Sequence, residues 1–233
     1  MHFLRCVLAE WALVRPRLTR TRFGAWLLVL GAALIWLASR GADPLAVALH
    51  AGALGGVLGA AFAAGSPADR AALAITLAHP TTPLAVACGR WLAAVIPAAG
   101  LTIACTVAVG WHTGAALAGL TAAAAVAGCG LAAVLLAGSG AAVVLFICTA
   151  LAGAMPPETL VGVAQPGALR LALASALELG PALWRYREIA TGPSPGRAMA
   201  GALLHAAAWA ALGVVLASGL VRRRASPPSG SAS

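Results

Sequence analysis

Two histidines, His50 and His205, are the ionisable residues that fall inside the long apolar stretches of this chain. Each lies six or seven residues from the end of its stretch, about 10 Å along a helix at 1.5 Å per residue, so the two can share one depth in a bilayer. Imidazoles at one depth could line a pathway, or ligate a metal or haem; alternatively each is bonded to nearby backbone and does no chemistry. Other catalytic patterns are missing: there is no HExxH, no GxSxG and no pair of carboxylates at helical spacing within an apolar stretch. All fifteen Lys+Arg positions are Arg, and without a Lys no GxxxxGKS/T loop can reach nucleotide phosphates. ATP-driven work would draw its hydrolysis from another chain, so the expectation is a protein that is not itself an enzyme and holds no cofactor or metal.

A second constellation lies in the polar stretch from Ser66 to Trp91, between two apolar segments. Ser66 can cap a helix whose first residue is Pro67, with Asp69 at the third position, where a carboxylate reaches the exposed backbone donors. Pro80 stops that helix. Thr82 and Pro83 repeat the arrangement, so a second helix starts at once and runs past Arg90 and Trp91 into the next apolar segment. Two helices meeting at an elbow on a membrane surface form a device for receiving force from a partner; the plainer reading is an ordinary loop.

Composition decides what these residues are mounted on. With 61% hydrophobic residues, 9% charged and a mean hydropathy of +0.94 over 233 residues, the chain has too little polar surface to cover a soluble fold. The expectation is an all-α integral membrane protein, residues 1–224 forming one transmembrane domain. Segments of about 20 apolar residues span the hydrocarbon, and six are predicted: 24–39, 44–65, 91–111, 115–137, 140–155 and 198–221. Gly138, Ser139 and Gly140 leave room only for a tight reversal between the fourth and fifth. Ahead of the first, Phe3, Leu4, Val7, Leu8, Trp11 and Val14 recur at helical spacing, with His2, Arg5 and Glu10 on other faces, which predicts a helix lying in the interface as far as Pro16. Arg15, Arg17, Arg20 and Arg22 then link it to a retained first span, not a cleaved signal peptide. Gly52, Gly55, Gly56 and Gly59 give two overlapping GxxxG spacings for close helix contact, and Pro97 predicts a kink.

With both termini inside, the cytoplasmic side carries ten arginines against Glu10 and Asp69, and the outer side five against four carboxylates. The positive-inside rule favours that orientation. The formal charge of +9 is not gathered into a basic module with interleaved aromatics, so nucleic acid is not an expected partner. Residues 159–180 are apolar, but Arg170 and Glu178 would sit well inside a crossing, so 159–183 is predicted as helices that dip into the outer leaflet and return. The five cysteines lack CxxC spacing and are expected as free thiols. Residues 225–233 form a low-complexity tail, expected to be disordered.

This arrangement resembles the type-2 ABC transporter permease family, the membrane subunits of many bacterial exporters. The resemblance covers nearly the whole chain as layout and rests as motif on Asp69, Arg70, Leu73, Leu77, Pro80, Gly89 and Arg90, in that order. The chain departs from the family at Ala71 or Ala72, where a Gly is usual, and at Ala74, where a Glu is common. Membership would imply a subunit of the bacterial cytoplasmic membrane, paired with a second permease protomer and powered by a separate P-loop ATPase that binds the ATP. It would give Asp69, Arg70, Leu73 and Leu77 the role of coupling contacts to that ATPase. The haem exporter permeases of cytochrome c maturation are similar in length and layout. Two other functions remain open on the residues alone: a passive channel or secondary carrier, for which no internal repeat is visible, and an anchoring protein that transports nothing.

Overall fold

The computed structural model describes residues 2–20, 23–65, 77, 81–138, 140–145, 147, 180–191 and 195–225. Among these residues there is no strand. Among the described residues the helices of nine residues or more are α1 (His2–Arg20), α2 (Phe23–Ser39), α3 (Pro44–Ala63), α4 (Pro83–Ala108), α5 (Thr113–Ala137), α6 (Leu183–Thr191) and α7 (Pro195–Ala225). Four of them, α3, α4, α5 and α7, are long and apolar enough to cross a membrane, and α2 is a shorter apolar helix of 17 residues. This is the make-up of a multi-pass membrane protein. The predicted spans at 24–39, 44–65, 91–111, 115–137 and 198–221 fall on α2, α3, α4, α5 and α7. Of the span predicted at 140–155, residues 140–145 and 147 are described and helical; the remainder, residues 156–179 and the tail from 226 lie outside the described residues.

Local chemistry accounts for the helix starts. Asp43 caps α3 by accepting from the Leu45 amide at 3.0 Å, with Pro44 in the first position. Thr82 does the same for α4, its hydroxyl accepting from Ala85 N at 3.2 Å ahead of Pro83. Gly110 and Gly138, with φ of 98° and 87°, make the turns at either end of α5, where a Cβ would be strained. Pro16 does not end α1, which continues to Arg20. One proline removes a single backbone bond, to the Ala12 carbonyl, and the turns on either side retain theirs.

Lipid tails give helices no hydrophobic reason to associate, so backbones must approach closely enough for dispersion to act. The two GxxxG spacings of α3 do this on two faces. A Cβ on Gly52 or Gly56 would run into α5 at Gly119 and Ala123, and one on Gly55 or Gly59 into α4 at Ala98 and Ala94. Two thirds of the central windows of α3 and α5 are buried, against about one third for α4 and α7, which places α3 and α5 at the centre. The far side of α5 receives α7 through Gly128, Ala210 and Gly213. Trp91 Nε1 donates to the Ala124 carbonyl at 3.0 Å, fastening α4 to α5. α2 lies against α3 and α4, α1 against the start of α4, and α6 against α5 and α7.

Candidate functional site

The end of the bundle where α3 stops and α4 starts is the end at which the polar elbow sits. Asp69, Arg70 and Leu73 lie outside the described residues. Leu77 is helical, half-buried and packed against the main core. The elbow's flanks are described, and there the structure departs from the sequence reading. Glu10, expected on a face of α1 other than its apolar stripe, is buried and paired with Arg90: Nε donates to Glu10 Oε1 at 3.0 Å, with both side chains about 5% exposed. Arg90 Nη1 also donates to the Ala64 carbonyl at 2.7 Å, the C-cap of α3.

A single guanidinium therefore joins α1, the last turn of α3 and the first turns of α4, spanning both edges of the elbow. Gly89 makes the junction possible, since a Cβ there would lie 2.7 Å from Glu10 Cβ and 2.8 Å from the Val7 carbonyl. The physical reason for burying Glu10 is its spacing. It falls between Val7 and Val14 on the face of α1 that meets the protein, whereas Phe3, Leu4, Leu8 and Leu13 are exposed. A pair taken out of water holds together because each charge would be costly alone. The available signal was that Glu10 is the lone carboxylate of α1 and Arg90 the lone charge of α4.

At the opposite end, each histidine is held by its own surroundings. His50 Nδ1 lies 2.7 Å from the Ala46 carbonyl of its own helix. His205 has Trp209 Nε1 at 3.1 Å from its Nε2 and the Tyr186 hydroxyl at 3.2 Å from its Nδ1. The indole can only donate, so Nε2 accepts; the neutral ring then carries its proton on Nδ1 and donates to Tyr186. Both ring nitrogens of His205 are thus engaged, and a metal or haem would have to displace one of these bonds. Tyr186 is fully buried, and burial pushes its phenol far above the usual range, with Arg185 opposing. It stays protonated. Sequence reasoning missed Tyr186 and Trp209 as the partners of His205.

α6, which carries Tyr186, is tied to α3 by an exposed ion pair, Arg187 Nη2 to Asp43 Oδ2 at 2.8 Å. In water such a pair contributes about 0–1 kcal/mol, so the buried packing of Leu183, Tyr186 and Ile189 carries the attachment. Among the described residues Cys6, Cys88, Cys105 and Cys129 are free thiols. No family model matches the chain, and neither the curated proteins nor the solved structures contain a match.

Proposed function

We propose that this chain is the membrane-spanning permease subunit of an ABC exporter, worked by a separate ATPase. In this reading it crosses the bacterial cytoplasmic membrane six times, keeps both termini inside and pairs with a second permease protomer. The segment around Asp69, Arg70, Leu73 and Leu77 rests on the ATPase, whose closure on ATP rocks the helices. The observation that supports this most is the Arg90 junction. A load applied to a free loop would be lost in its flexing, but both edges of this elbow are fastened to one another and to α1. The capped start of α4 at Thr82 continues that fastening without a break into a membrane-crossing helix.

Purification from native membrane in mild detergent, with mass spectrometry of what accompanies the chain, tests the reading. A stoichiometric P-loop ATPase is expected. Arg70→Glu is expected to uncouple ATP hydrolysis from transport while the complex still assembles. Reproducible recovery without any ATPase would overturn the proposal in favour of a carrier or an anchoring protein.

A further inference from the structure

Between α5 and α7 runs an apolar groove of about 510 Å³. Its lining runs from Cys129 and Trp209 past Leu136 and Gly219 to Arg223, the one charged residue in it. From Trp209 to Arg223 is fourteen residues, about 21 Å of helix, somewhat more than the roughly 15 Å of hydrocarbon in one leaflet. Arg224 is engaged with the Leu135 carbonyl at 2.5 Å, and Arg222 has a partner as well. Arg223 is exposed, and among the described residues nothing bonds to it.

We infer that this groove binds one anionic glycerophospholipid, its acyl chain lying along Gly219 toward Trp209 and its phosphate on Arg223. A groove long enough to reach through one leaflet, apolar but for an unengaged cation at the end where head groups lie, matches a lipid in both shape and charge. One arginine near the surface favours an anionic over a zwitterionic head group by roughly fivefold. The glycine keeps the groove open: a Cβ on Gly219 meets nothing within 4 Å, so a larger side chain there fills the groove without disturbing the helices.

The test uses the full chain reconstituted in vesicles of equal phosphatidylglycerol and phosphatidylcholine with matched acyl chains, extracted mildly, with retained lipid counted by native mass spectrometry. Wild type is expected to keep about one phosphatidylglycerol per chain, roughly fivefold over phosphatidylcholine. Arg223→Gln should lose the preference, and Arg222→Gln, the same charge change away from the groove, should keep it. Gly219→Leu should release both lipids with helix content and melting unchanged. Equal loss of preference in the two arginine variants would show diffuse surface charge and overturn the site. Retention unaffected by Gly219→Leu would overturn it too, as would a lipid-free dimer of this chain that the same substitution breaks.

Discussion

Arg90 has two partners, so its removal does two kinds of damage: Glu10 is left as an uncompensated buried charge, and the Ala64 carbonyl loses a donor. Arg90→Ala is expected to cost about 3–5 kcal/mol, read from unfolding in detergent micelles. Glu10→Leu combined with Arg90→Met should recover most of that loss, because an apolar pair carries no desolvation penalty. If the double variant were as unstable as the single one, the ion pair would not be the source of the effect. Tyr186 offers a second probe, being the sole tyrosine of the chain. Its folded-state pKa is raised by burial, so the native phenol stays protonated as pH passes the ordinary value of 10.0, while the unfolded chain ionises there. The stability linked to this group is whole below that value and falls as pH rises through and beyond it. Tyrosinate absorbance should therefore appear only with unfolding; a step near pH 10 in the native protein would place the phenol in water. Glu10 stands out as the lone carboxylate of α1 and Arg90 as the lone charge of α4, but neither their pairing nor the Tyr186–His205 bond was legible in the sequence. The first pair is 80 residues apart, and an acid on an amphipathic helix reads as solvated unless the protein-facing side of that helix is known.

At the scale of helices the sequence was much more readable, because the determining chemistry is local. Thr82 with Pro83 announces the start of α4, and the glycine spacings announce that α3 has close neighbours. The spacing alone did not say that the two GxxxG sets address different partners, one α5 and the other α4. That division gives a sharp contrast. Gly52→Ala puts a methyl into the Gly119 backbone and should cost on the order of 1–3 kcal/mol as the helices part. Gly24→Ala on α2, where a Cβ meets nothing within 4 Å, should cost none. Equal melting of the two variants would mean that α3 and α5 are looser than the structure has them. Helix α1 shows the limit of pattern reading. Its apolar residues serve two faces, Val7 and Val14 toward the protein and Leu4 and Leu8 away from it, and one stripe of hydrophobic positions cannot separate them.

For the molecule as a whole, the two ends of the bundle differ in kind. One holds the buried Glu10–Arg90 pair and the Arg222–Arg224 run, and the other holds the exposed Asp43–Arg187 pair and the Tyr186–His205–Trp209 chain. With the arginine-rich end inside, a phosphatase that folds only outside the cytoplasm should be active when fused after Gly110 and inactive after Gly138 or Ala225. The reverse pattern would invert the orientation. The crowding of α3 between α4 and α5 also governs how such a chain can be made. α3 leaves the ribosome before either neighbour, so both of its glycine faces meet lipid while their partners are still being translated. Neither face is satisfied by a segment that precedes it. The centre of this bundle can close only after synthesis has passed Ala137, beyond the middle of the chain, and until then lipid stands in for the contacts that α3 will make.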